Sequence, residues 1–346
     1  VTLGKARYTG SSYTVPTAKF PQDTLVQGEG GLVWLKNRSV ADPHRLYDTV
    51  RGISDGYLDT GSTSDGAPDA DEVTAFNSNG FSLGDDGQTN GSGEDMCSWT
   101  FRKAPKFFDV VTYTGNGGNL TIDHNLGSVP GCIIIKCTSA VKSWVVYHRG
   151  VNGGSNPENY ALFLNSTSAQ NDNLYFQDTA PTSTQFFLGD SAANENGQTH
   201  VAYLFAHNDG DGGFGPDGDQ DIIKCGSYTG NGADQDIDIG FEPQWILTKP
   251  STFTHDWYIY DTMRGFKTYS GTDTNNLFLH PNEANAESDF DGIALTSTGF
   301  SLHGASNAAN NSGQTYIYMA IRRGPLAPPE SATEVFDVKD WRSMGS

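Results

Sequence analysis

The sequence predicts an all-β protein built from tandem β-sandwich modules of jelly-roll or lectin-like type. Three observations carry this. Aromatic residues make up 12% and charged residues only 18% of the chain, alongside 41 glycines, a mix that suits short strands joined by turns and does not suit disorder. Apolar segments alternate with period two, and no window of eleven or more residues has a convincing helical period. One set of landmarks also recurs three times in the same order.

The recurrence begins with Tyr-Thr-Gly, found at Tyr8-Thr9-Gly10, Tyr113-Thr114-Gly115 and Tyr228-Thr229-Gly230. An apolar run ending in lysine follows each: Leu32 to Lys36, Cys132 to Lys136 and Trp245 to Lys249. Next comes a segment closing on Arg-Gly, at Arg51-Gly52, Arg149-Gly150 and Arg264-Gly265. A Phe-centred strand then appears at Phe81, Phe186-Phe187 and Phe300, followed by a Gly turn and a last strand from Met96, His200 and Tyr316. The unit is roughly 105–115 residues, long enough to hold its own core and too long for a solenoid repeat. The expected organisation is three sandwiches in series at 1–105, 106–208 and 209–324, with an extended Pro-rich tail at 325–346.

Each element has its own signature. Thr199 to His207 places Val201, Tyr203 and Phe205 on one face and Ala202, Leu204 and Ala206 on the other. With both faces apolar, this is expected to be a central strand packed on both sides. Ser143 to Arg149 alternates Trp144, Val146 and His148 against Val145, Tyr147 and Arg149, and Asn152 to Pro157 reads as a turn cluster. The tryptophans, including Trp34, Trp99, Trp144, Trp245 and Trp257, fall mostly within strand runs and are expected in the core, although exposed ones could stack on sugars.

Charge narrows the function. A net charge of −20 repels nucleic acid and anionic membrane, keeps a large β-surface soluble and discourages edge pairing. No apolar run approaches the length of a membrane span, and no signal-peptide pattern opens the sequence. A start without Met and an abrupt end are expected of a fragment or processed form of a longer protein. Cys97, Cys132, Cys137 and Cys225 form no Cys-x-x-Cys pair. Cys132 and Cys137 point to opposite faces of one strand and cannot bridge each other. Free thiols are expected, as in a protein assembled in a reducing cytosol.

Several strings resemble a family of repeated modules in virion proteins of tailed bacteriophages, marine phages among them. They include Phe108 to Gly117, His124 to Gly131, Trp144 to Arg149, Ala180 to Thr184, Val201 to His207, Glu72 to Gly84 and Tyr316 to Pro325. The resemblance spans about residues 29–336. It implies a particle location and a non-enzymatic structural role in a tail fibre, tail appendage or capsid decoration. The expected partners are other copies of the chain and other virion proteins. Recognition of a host-surface glycan is the alternative role. The resemblance supplies no catalytic residues.

Candidate sites are few. Lys36/Arg51, Lys136/Arg149 and Lys249/Arg264 recur at matching places although basic residues are scarce. Pairing with a nearby Asp48 or Asp261 is the favoured reading, and a shared glycan or carboxylate pocket the other. No cofactor is expected beyond Ca²⁺, whose hard-oxygen chemistry would suit Asp217, Asp219 and Asp221 in the Gly-rich stretch from Asp209 to Asp221. That stretch lacks the Gly and Glu of an EF-hand and reads first as a solvated linker. Tyr147-His148-Arg149 is where general-base chemistry would sit, but no nucleophile elbow, zinc-protease helix or phosphate-binding loop accompanies it, and no enzyme is expected.

Overall fold

The computed structural model describes residues 13–16, 30–77, 80–189, 192–215, 218–271 and 276–324. Their regular secondary structure is nearly all strand, in antiparallel sheets. The first Tyr-Thr-Gly and the tail at 325–346 lie outside the described residues.

Each repeat packs one large sheet against one small sheet. In the second repeat the large sheet runs Asn171–Asp172, Tyr160–Phe163, Val145–His148, Pro130–Cys137, Thr199–Ala206, Phe108–Thr114. In the third it runs Ser288–Phe290, Asn276–Leu279, Tyr258–Asp261, Pro243–Pro250, Thr315–Arg322, Ile223–Thr229. The order is the same, with the first and last long strands adjacent. The described part in the first repeat is Leu58–Asp59, Arg45–Asp48, Gly31–Asn37, Met96–Arg102. The small sheets are built on Gly80–Leu83, Gln185–Leu188 and Gly299–Leu302, the Phe-centred strands of the sequence.

The register explains why the central strands are apolar on both faces. Lys36, Lys136 and Lys249 pair with Cys97, Val201 and Ile317, so the three repeats superpose strand for strand. Counting back by twos, Leu32 and Trp34, Cys132 and Ile134, and Trp245 and Leu247 share the face of the lysine. These six residues belong to one core common to all three repeats. The residues between them face their own small sheet. Val33 and Leu35 lie in the separate core of the first sandwich, and Ile246 in that of the third.

The repeats therefore do not simply follow one another in a line. Phe101 of the first repeat packs edge-on against Phe205 of the second, with ring centroids 5.3 Å apart, and against Trp245 of the third at 5.8 Å. The third repeat returns to the first and closes a ring. The reason is hydrophobic: each large sheet carries an inward apolar row that its own small sheet cannot cover, and the other two repeats cover it.

The Tyr-Thr-Gly motif has a structural use. Tyr113 donates its hydroxyl to Ala193 O over 2.7 Å and Tyr228 to Ala309 O over 2.8 Å. The next residue, Asn116 or Asn231, donates its amide to the side-chain oxygen of Asn194 or Asn310. The two described copies of the motif thus occupy equivalent places.

Candidate functional site

The recurring lysines are buried in the seams between repeats. Lys36 is 1% exposed, and Lys136 and Lys249 are 0% exposed. Each sits at the end of an inward row and donates to backbone carbonyls, one of them in the preceding repeat of the ring. Lys36 reaches Ala284 O (3.1 Å), Lys136 reaches Thr63 O (2.8 Å) and Lys249 reaches Thr167 O (3.0 Å). Further carbonyls come from their own repeats, at Asn37, Lys142 and His255. Burial without a carboxylate partner pulls the ammonium groups down to about 8, 8 and 7 respectively.

Twelve residues beyond each lysine lies a second seam position, occupied by Asp48, His148 and Asp261. The register places all three opposite equivalent residues, Leu32, Cys132 and Trp245. Each bonds to the last strand of the next repeat in the ring. Asp48 accepts from Tyr203 Oη (2.8 Å), Asp261 from Trp99 Nε1 (3.0 Å), and His148 Nε2 lies 3.0 Å from Tyr318 O. Asp48 also holds Arg51 at 2.6 Å and Asp261 holds Arg264 at 2.5 Å, all four side chains being buried. Arg264 lies over the Trp99 ring and also pairs with Glu287.

Arg149 does not belong with Arg51 and Arg264. It is exposed, and it follows His148 directly, whereas Arg51 and Arg264 stand three residues beyond their aspartates. The equivalent position in the second repeat is Val151, which is fully buried. Here an aspartate–arginine pair is replaced by a neutral imidazole and an aliphatic side chain. His148 Nδ1 accepts from Gly150 N, which leaves Nε2 to donate to Tyr318 O, and burial lowers the imidazole to about 3. The grouping by Arg-Gly string is thus corrected by register. The three lysines bond across the seams, and Arg51 and Arg264 brace the seam aspartates of their own repeats.

A third seam position precedes these. Trp144 Nε1 donates to Asp59 O and Trp257 Nε1 to Phe163 O, each across a boundary. His44 takes their place in the first repeat. It accepts from Trp34 Nε1 at 2.8 Å and turns its other nitrogen toward the backbone of His280 in the third repeat, short of hydrogen-bond geometry.

The acidic stretch from Asp209 to Asp221 closes on itself. Asp221 accepts from Gly210 N and Gly212 N, and Asp209 pairs with Lys224 at 3.0 Å. Asp219 is exposed, and Asp217 lies outside the described residues. Among the described residues, Asp69, Glu72 and Asp86 come near enough to one another to share an ion. Glu72 is already held there by Arg45 and Tyr47. All four cysteines are free and buried. Burial raises Cys97 to about 12 and sends Cys132 and Cys225 upward as well.

One open cleft, of about 430 Å³, lies in the third repeat and was not foreseen from sequence. Asp234, Tyr269, Phe290, Asp291, His303 and Ser306 help to line it. Tyr269 is 46% exposed and stacks on His303 with ring centroids 3.7 Å apart. Ser301 Oγ lies 2.8 Å from His303 Nε2, and Asp234 lies 3.5 Å from Nδ1. These three residue types match a hydrolytic triad. Ser301, however, is buried and absent from the cleft lining, so its hydroxyl orients the ring from behind.

Fold and seams together define an all-β protein of three sandwich repeats closed into a pseudo-threefold ring. The chain belongs to a family described as a domain of unknown function, DUF7483, whose profile matches residues 6–325. No curated protein and no solved structure matches it.

Proposed function

We propose that this protein is a non-enzymatic structural component of a tailed-phage particle, part of a fibre, an appendage or a capsid decoration. The resemblance of long strings in all three repeats to phage virion modules suggests the location. The observation that carries the passive role is the use of the repeated polar residues. The three recurring lysines, and Asp48 and Asp261 braced by Arg51 and Arg264, lie buried in the seams and join one repeat to the next. A ring so joined is stiff and self-covering, which suits a part that carries load among copies of itself and other particle proteins.

The test is mass spectrometry of purified particles from an infected culture, with immunogold labelling by an antibody to this chain. The chain should be present at fixed stoichiometry, with label on one particle feature. Its recovery only from uninfected cells, or only as free protein after particles are banded, would overturn the proposal.

A further inference from the structure

The cleft of the third repeat lies at the end of its Phe-centred strand, where the three repeats differ in sequence. His303 follows the Phe-centred strand at the place held by Gly84 and Gly189 in the first and second repeats. A side chain at those glycines would collide with backbone: a Cβ would fall 2.3 Å from Asp71 O and 2.2 Å from Leu174 O. In the third repeat the neighbouring chain carries Gly292, whose lack of a side chain admits the Phe290 ring, since a Cβ there would meet that ring at 2.1 Å. Gly292 O still accepts from His303 N over 3.1 Å, so the pairing of the other repeats is kept while an imidazole stands where they have glycine and lines the cleft. Ser301 fixes the imidazole from inside, and Tyr269 lies flat upon it. The result is a supported aromatic platform beside two exposed carboxylates, Asp234 and Asp291.

We propose that this cleft binds a neutral carbohydrate, with one pyranose ring lying on the open face of Tyr269 and its hydroxyls donating to Asp234 and Asp291. The chemistry selects this ligand. An ionised carboxylate only accepts hydrogen bonds, so two of them beside an aromatic face suit a ligand rich in O–H donors with an apolar C–H face. Anionic sugars, nucleotides and phosphates are repelled by the same carboxylates and by a net charge of −20. The volume lies within the range of small-molecule sites and admits one or two sugar rings. The site stands whether or not the chain is part of a particle.

The experiment is saturation-transfer NMR and calorimetric titration of the full chain with four neutral oligosaccharides: maltoheptaose, cellopentaose, chitotetraose and mannopentaose. Tetralysine serves as the cationic probe. At least one neutral sugar should bind saturably. Tyr269→Ala should weaken it tenfold or more, Asp291→Asn several-fold, and exposed Val141→Ala on the second repeat not at all. Unchanged thermal unfolding of Tyr269→Ala and Asp291→Asn would establish that both variants fold. Silence across all four sugars, binding that survives Tyr269→Ala, or binding of tetralysine alone would each overturn the proposal.

Discussion

Tyr203 of the second repeat donates its hydroxyl to Asp48 of the first over 2.8 Å, and the same aspartate oxygen holds Arg51 at 2.6 Å. All three side chains are buried, so the carboxylate depends on both partners. The third repeat repeats the arrangement with another donor, Trp99 Nε1 on Asp261. Tyr203→Phe keeps the ring and removes only the donor. It is expected to lower stability by about 1–3 kcal/mol, the cost of leaving a buried charged acceptor short of a partner. Urea unfolding followed by circular dichroism measures this. An unchanged midpoint would mean that the seam bond contributes nothing.

The buried lysines predict a rise of stability with pH. Lys249 is held down to about 7, and Lys36 and Lys136 to about 8. An unfolded lysine keeps its proton to about 10.4. Above pH 7 the unfolded chain therefore binds protons that the folded chain has released, so the lysine contribution to stability climbs in that window and is flat below it. Cys97, raised by burial, acts in the opposite sense from about 8.5 upward, and the buried tyrosines from about 10. The clean interval is pH 7 to 8.5. There the wild type should gain about 1.5 kcal/mol relative to Lys249→Met, which lacks the titrating group. A difference that stays constant over this interval would show Lys249 to be fully charged throughout.

His148 predicts the opposite end of the profile. Its Nδ1 accepts from Gly150 N and its buried ring is held down to about 3, whereas an unfolded histidine titrates near 6.5. As pH falls from 6.5 the unfolded chain takes up a proton that the folded ring refuses, and stability drops until the folded group also titrates. Asp59 and Glu72, raised by burial, act in the other direction in the carboxylate range, so a variant comparison isolates the histidine. Between pH 6.5 and 4.5 the wild type should lose about 2 kcal/mol relative to His148→Gln. Parallel stability curves for the two proteins over that range would contradict the assignment.

The all-β class, the repeat and the central strands were legible because each is a local pattern: alternation, turn residues and strings that recur. The Asp48–Arg51 and Asp261–Arg264 pairs were legible for the same reason, lying three residues apart. Closure of the ring was not, because the cover for Leu32, Trp34 and their equivalents comes from other repeats, about a hundred or more residues away. The doubly apolar strand at Thr199 to His207 was the visible half of that fact. Arg149 was misplaced because Arg-Gly occurs in all three copies; counting twelve residues from each lysine finds His148 instead. The cleft draws on Asp234, Tyr269 and His303, which lie far apart in sequence. Its one sequence sign was a histidine after Phe-Ser-Leu where the first repeat has glycine.

The glycine of Tyr-Thr-Gly gives a last prediction that separates packing from backbone freedom. Gly115 and Gly230 have ordinary negative φ, so left-handed geometry does not require them. Space does: a Cβ would fall 2.2 Å from Glu195 O at Gly115 and 2.4 Å from Asn311 O at Gly230. Both contacts are with backbone that is itself tied into the turn before the last strand, through Gly197 N to Gly115 O and Gly313 N to Gly230 O. Relief must therefore shift that turn and break these bonds. Gly115→Ala and Gly230→Ala are each expected to cost about 2–4 kcal/mol, within the range for overpacking combined with a lost buried hydrogen bond. Gly118→Ala, three residues from Gly115 and with only a distant side-chain atom at 3.8 Å, should lie within about 0.5 kcal/mol of the wild type. Thermal and urea unfolding of the three variants decide it. Equal effects at Gly115 and Gly118 would mean that the turn yields freely and that close packing is not why this glycine recurs.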